Sequence, residues 1–144
     1  MGRILGIDYG NKRVGVAVTD PLQIFASPLD TVSTSDIERF IDDYMLTEKV
    51  DAFVVGYPVT MNNKPSESVK YIDPFIRKLR KKYPGLLVHL EDERFTSKMA
   101  FRAMIDGGLK KNRRKEKTII DMVSASLILQ SFLDSRKIKM ERIK

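Results

Sequence analysis

The chain has no cysteine, no tryptophan and a single histidine among its 144 residues. Without thiols there is no disulfide scaffold, no thiolate zinc or iron–sulfur centre, and no cysteine nucleophile. Nor is there an apolar run of roughly 18 residues, so the sequence offers no membrane-spanning helix and no membrane partner is expected. Arg3 and Asp8 interrupt the N-terminus before any apolar run of signal-peptide length, so the expected compartment is the cytoplasm. Repeats, low-complexity tracts and a Pro/Gly/Ser linker are missing as well. At ~100–200 residues per domain, one domain spanning 1–144 is expected. What the chain does have is 42% hydrophobic and 31% charged residues, the balance of a folded, soluble domain.

Charge is unevenly spread. Residues 1–72 carry a net −3 and residues 73–144 a net +10, giving +7 overall. Basic groups gather at Arg77 to Lys82, Lys110 to Lys117 and Arg136 to Lys144. Such clusters suit a polyanion, because neutralised phosphates release counterions. A solvated helix face with a frayed tail would read the same way.

Ile4, Leu5 and Ile7 form a short apolar run, Gly10-Asn11 carries turn chemistry, and Val14, Val16 and Val18 alternate with small residues. This predicts a hairpin whose second strand has one tightly approached face. Residues 29–33 are expected to add a third strand. Ser35 is expected to cap a helix with apolar positions Ile37, Phe40, Ile41, Tyr44 and Met45. Ala52-Phe53-Val54-Val55 reads as a buried parallel strand that ends at Gly56-Tyr57-Pro58. The next helix puts Val69, Ile72, Phe75, Ile76 and Leu79 on one stripe and stops at Pro84-Gly85. Leu86 to Leu90 is expected to be another buried strand. A third helix should start at Thr96 or Ser97 and end at Gly107-Gly108, and a last one should span about Ile119 to Leu133. The expected fold is therefore α/β in three layers, a mixed five-stranded sheet with helices on both faces. That is the element order of an RNase H-like domain, although other three-layer arrangements fit it too.

Three carboxylates stand out by position. Asp8 follows the first strand's apolar run, and Glu93, behind Glu91 and Asp92, follows Leu86 to Leu90. If these strands run parallel, both acids reach the carboxyl edge where ligands of open α/β sheets bind. Asp121 is the only charged residue from Ile119 to Leu133, in a helix whose apolar residues point all round and which is therefore expected to be largely buried. A buried, unpaired carboxylate costs several kcal/mol or takes up a proton, and a divalent cation removes that cost. Each acid also has a plain structural reading. Asp8 can be read as bonding into the Gly10 turn, Asp92 and Glu93 as a surface network with Arg94, and Asp121 as closing a capping box with Thr118. Taken together they are read as one site of hard oxygen ligands for Mg²⁺ or Mn²⁺, suited to phosphodiester hydrolysis. His89, inside a strand, is assigned to packing or surface.

Gly6-Ile7-Asp8-Tyr9-Gly10-Asn11-Lys12-Arg13-Val14-Gly15 and the residues through Asp20 resemble the opening of the YqgF/RuvX family of pre-16S rRNA nucleases. Gly56-Tyr57-Pro58 with Met61-Asn62, Asp92-Glu93-Arg94-Phe95-Thr96-Ser97, and Ile120-Asp121 through Leu133 are similar to its later motifs, in order and over nearly the whole chain. The family's common Asp-Gly after Gly-x-Pro is Asn62-Asn63 here, and the leucine after Asp-Glu-Arg is Phe95. The resemblance implies an RNase H-like fold and maturation of the 5′ end of precursor 16S rRNA in the cytoplasm, with a ribosomal particle as a further partner. Catalytic and metal-binding positions fall on Asp8, Glu93 and Asp121, with Asp92 less clearly placed. Lys12, Arg13 and Arg94 are the matching basic positions for phosphate contacts, and Lys110, Lys111, Arg113 and Arg114 are expected to grip the nucleic-acid backbone. Two rivals share the fold: a junction resolvase acting as a dimer on branched DNA, and an RNA-binding assembly factor that does not cleave. The opening motif also resembles the phosphate loop of actin-like ATPases and sugar kinases, but those need two such domains and 144 residues hold one.

Overall fold

The computed structural model describes residues 2–58, 68–93 and 113–143, with side chains described for all but 113–116 and 139–143 of these. Its strands are β1 (Arg3–Tyr9), β2 (Arg13–Thr19), β3 (Ala26–Ser33), β4 (Val50–Tyr57) and β5 (Leu87–Asp92); its helices are α1 (Ile37–Thr47), α2 (Val69–Lys82) and α3 (Arg113–Ile143). The strands form one sheet in the order β3-β2-β1-β4-β5. β1, β2 and β3 make an antiparallel meander. The Gly10 N–H donates to the Arg13 carbonyl at 2.9 Å and closes the first turn. β4 pairs parallel with β1, and β5 parallel with β4. Three strands therefore end at the same carboxyl edge, as the acids require.

Alternation along each strand divides the core between two faces. Leu5, Ile7, Val14, Val16, Phe53 and Val55 meet Ile37 and Ile41 of α1 and Ile72, Phe75, Ile76 and Leu79 of α2. On the opposite face Ile4, Ala17, Ala52 and Val54 meet Ala125, Ile128, Leu129 and Leu133 of α3. The second face is built from smaller residues, and α3 lies close against it. Here the tight face expected of β2 is found.

Several expectations are corrected. Ser35 does not cap α1: Thr34–Asp36 forms a 3₁₀ turn, Asp36 is the residue before the helix, and no side chain caps it. β5 is an edge strand rather than a buried one, with Leu87 67% and Leu90 44% exposed. A short apolar run does not distinguish an edge strand from a central one, because strand order is set by tertiary pairing. α3 starts at Arg113 and runs 31 residues, so Lys117 and its neighbours belong to the helix and not to a loop. Only the stripe through Ser124, Ala125, Ile128, Leu129 and Leu133 is buried; the other apolar positions from Ile119 to Phe132 are half-covered. Thr118 therefore lies inside the helix, where its carbonyl accepts from Thr31 Oγ1, and the capping-box reading of Asp121 falls away. The helix expected from Thr96 or Ser97 and the loop at Met61, Asn62 and Asn63 lie outside the described residues.

Candidate functional site

The sheet brings Asp8 and Glu93 together. Asp8 sits opposite Gly15 in the β1–β2 register and one residue beyond the Ile7–Val55 pair of β1 and β4, beside Gly56. Glu93 stands just past β5, held by its N–H to the Tyr57 carbonyl at 3.3 Å. Its side chain lies over Gly56, where a β-carbon would come 3.0 Å from Glu93 Oε2. Asp8 hydrogen-bonds Glu93 through the side chains. Asp92, on the opposite pleat of β5, raises Glu93's pKa through its charge.

α3 delivers Asp121 to the same place. Gly15 has no side chain, and a β-carbon there would fall 1.9 Å from the Asp121 carbonyl oxygen. The helix backbone thus rests directly on β2, across the register from Asp8. Asp121 is only 23% exposed, but it is paired: Arg13 Nε donates to its Oδ2 at 2.7 Å. Arg13 thereby supplies the positive charge that the sequence pattern alone assigns to a cation.

Burial is the main cause that holds the Asp8 carboxyl well above the usual carboxylate range; the Glu93 charge, the hydrogen bond to Glu93 and the Asp121 charge add to it. Burial also raises Glu93, while the hydrogen bond from Asp8 works the other way. The two shifts describe one arrangement, with Asp8 donating a proton to a Glu93 carboxylate. Among the described residues, no group of three or more histidine or acidic side chains is arranged to hold a metal ion as it stands.

Ser124 is a candidate that sequence reasoning misses, since a serine in an apolar helix carries no local mark of function. One turn beyond Asp121 and one turn before Ile128, it shares their stripe, and Ile128 Cδ1 and Glu93 Oε2 both lie against Gly56. The residue is 1% exposed and its Oγ has no hydrogen-bond partner among the described residues. Buried orphan hydroxyls are rare, and this one lies one helical turn from Asp121. The donor set of hard carboxylate oxygens, a shared proton that a cation would displace, and a buried polar atom with spare capacity fits a divalent ion.

The basic positions are less gathered. Lys12 is exposed in the β1–β2 turn. Arg13 is engaged with Asp121. Arg94, Lys110 and Lys111 lie outside the described residues, and Arg113 and Arg114 open α3 without described side chains. His89 packs against Phe132 with ring centroids 4.7 Å apart. No described helix is long and apolar enough to cross a membrane.

Residues 2–135 match the family model RuvX, described as Holliday junction resolvase. A protein of Phocaeicola vulgatus named "Putative pre-16S rRNA nuclease" is 53% identical over 95% of this chain and 99% of its own length. Proteins of the same name from Christiangramia forsetii and Parabacteroides distasonis are 50% and 47% identical, over 92% and 95% of this chain and 98% of their own lengths. In structure the chain is similar to Thermus thermophilus RuvC in complex with a Holliday junction substrate, with a TM-score of 0.55 and 18% identity over 95% of this chain and 96% of that one. A second Thermus thermophilus RuvC structure gives a TM-score of 0.53 at 16% identity, over 94% of this chain and 96% of that one. At that identity the likeness establishes the fold, which is RNase H-like.

Proposed function

The chain belongs to the RuvX family, and on that footing we propose that it is a metal-dependent nuclease hydrolysing phosphodiester bonds, acting in the cytoplasm on precursor 16S rRNA during ribosome biogenesis. One observation carries the reading: Asp8 and Glu93, 85 residues apart in sequence, meet side chain to side chain at a sheet edge onto which α3 also brings Asp121.

Asp8, Glu93 and Asp121 would hold Mg²⁺ or Mn²⁺. When bound, such ions lend Lewis-acid charge to a phosphate ester and lower the pKa of nearby water. The chain's own groups do the rest. Asp8 and Glu93, which hydrogen-bond each other through their side chains, would both turn carboxylate oxygens to such an ion. Ser124 Oγ offers its unused hydrogen bond to a water or phosphate oxygen. Arg13 Nε donates to Asp121 Oδ2 at 2.7 Å, which keeps a guanidinium at the site where it would meet a phosphate oxygen. Lys12, Arg94, Lys110, Lys111, Arg113 and Arg114 supply further backbone contacts, with pre-rRNA in a ribosomal particle as the partner.

A junction resolvase is the second reading, favoured by the description of the matching family model. Cleavage assays on precursor rRNA, single-stranded RNA and a DNA four-way junction, each with and without Mg²⁺ or Mn²⁺, separate the two. Preferential cutting of the precursor is expected. Cutting confined to the junction would transfer the assignment to the resolvase, and binding without cutting under any metal would make the chain an assembly factor.

Two further outcomes test the parts. Replacing Lys110, Lys111, Arg113 and Arg114 by Gln should flatten the salt dependence of RNA binding by roughly 0.7 in log–log slope for each phosphate no longer neutralised; an unchanged slope would remove the segment from the interface. Ser124→Ala should stabilise the metal-free chain by about 1 kcal/mol, because an unpaired buried hydroxyl is a net cost, and should weaken Mn²⁺ binding in calorimetry. A variant that melts lower than the native chain would mean that the hydroxyl is bonded within the fold.

A further inference from the structure

His89 and Glu91 share one pleat of β5 and Glu93 follows just past its end, so the strand leads from the acidic pair toward a second concave feature on the α3 side. Here a cleft of about 350 Å³ opens at the free edge of β5, lined by His89, Leu90, Glu91, Phe132, Ser135 and Arg136. Its size is at the small end of the ~300–1,000 Å³ usual for ligand sites. His89 and Phe132 lie ring against ring, tilted by 32°, and the Arg136 guanidinium sits 5.7 Å from the Phe132 centroid. Glu91 Oε1 accepts from Ser131. Arg136 is held in place by two bonds to Gln23. By strand rise the cleft runs from about 7 Å from Glu93 at Glu91 to about 13 Å at His89, a distance that a few nucleotides of single strand span.

We propose that this cleft is a subsite for one unpaired nucleobase of the substrate strand, stacked on the His89–Phe132 pair, with Glu91 favouring bases that carry an exocyclic amine. The proposal rests on the nuclease reading of the neighbouring acids. Three features carry it. Aromatic rings backed by an arginine accept any base face, because base–aromatic stacking and cation–π attraction are insensitive to sequence. A carboxylate at the rim accepts from amines such as cytosine N4, whereas uracil presents a carbonyl there. Burial and the Arg136 charge both lower the His89 pKa, so the ring stays neutral and stacks as an aromatic surface at physiological pH.

The test is anisotropy binding of the full-length chain to three dodecamers: oligocytidine, oligouridine and an abasic strand of equal length. The native chain should bind oligocytidine at least about tenfold more tightly than the abasic strand, matching the ~1–3 kcal/mol of one stacked base, with oligouridine between them. Phe132→Leu keeps apolar contact with the core but removes the ring. It should collapse the cytidine-to-abasic ratio toward one while leaving abasic binding unchanged. Should Phe132→Leu melt out, Glu91→Gln, which leaves the packing alone, should erase the cytidine-over-uridine preference. Equal ratios in native and variant chains would overturn the subsite. Each oligomer is also incubated with Mn²⁺ and followed for cleavage. Cleavage with flat base preference sinks the subsite alone, whereas base preference with no cleavage of any substrate counts against the nuclease reading and not the cleft.

Discussion

Asp8→Asn, Glu93→Gln and Asp121→Asn should each abolish Mg²⁺- or Mn²⁺-dependent cleavage while leaving the chain folded. Losing even an outer partner of a metal ligand costs ~10–100-fold, so losing a ligand itself should cost at least about a hundredfold. Stability should move the other way for Asp8. In the folded, metal-free chain Asp8 keeps its proton to higher pH than in the unfolded chain, mainly because it is buried and next because Glu93 faces it. The stability linked to that proton is complete below the ordinary carboxylate value of 3.8 and is lost as pH rises through the raised folded value. Asn has no proton to lose. In EDTA at neutral pH, Asp8→Asn should therefore melt above the native chain, and the gap should close toward pH 4. Adding Mn²⁺ should reverse the order, because only the native chain has the ligand to gain from it. Calorimetry in buffers of different ionisation enthalpy should show about one proton released per binding event, with affinity rising with pH. Wild-type cleavage in any of the three variants would refute the site, and a melting temperature of Asp8→Asn below native across the whole pH range would refute the shared proton.

Gly15→Ala should be among the most damaging single substitutions in the chain. The added carbon would meet the Asp121 carbonyl oxygen at 1.9 Å, its carbon at 2.3 Å and the Met122 nitrogen at 2.9 Å. All three are backbone atoms, so no rotamer change relieves the clash and α3 has to lift off β2. Forced overpacking costs ~1–3 kcal/mol and occasionally more, and a backbone clash belongs at the top of that range. About 3 kcal/mol corresponds to a melting temperature lower by roughly 10 °C for a domain of this length. Cleavage should fall further than stability accounts for, since Asp121 moves with the helix. A variant with native melting temperature and native turnover would mean that α3 does not bear on β2 at this point.

The valine alternation at 14, 16 and 18 is enough to predict a strand with one crowded face, because period-two patterning follows directly from strand geometry. Asp8 and Glu93 are legible for a related reason: each follows an apolar run, and parallel strands place such positions on a common edge. The Arg13–Asp121 pair is not legible. Its partners are 108 residues apart, and nothing local marks the choice of one arginine among many. The early start of α3 does have a signal, since Arg, Lys and Glu are good helix formers and the segment Arg113-Arg114-Lys115-Glu116-Lys117 contains nothing else. Apolar periodicity alone misses it and suggests a loop, because burial begins further along the helix. The edge position of β5 has no signal of that kind, since Leu87 and Leu90 look like core residues until the pairing is known.

The docking of α3 on Gly15 also bears on when activity can begin. The chain is made from its N-terminus, so Asp8 and the meander emerge first and Glu93 later. Asp121 arrives with the last helix, and it reaches its place only by closing that helix over the central strands. Until then the nascent polypeptide carries an incomplete set of the proposed ligands. The protein should stay hydrolytically silent until α3 has docked on the sheet.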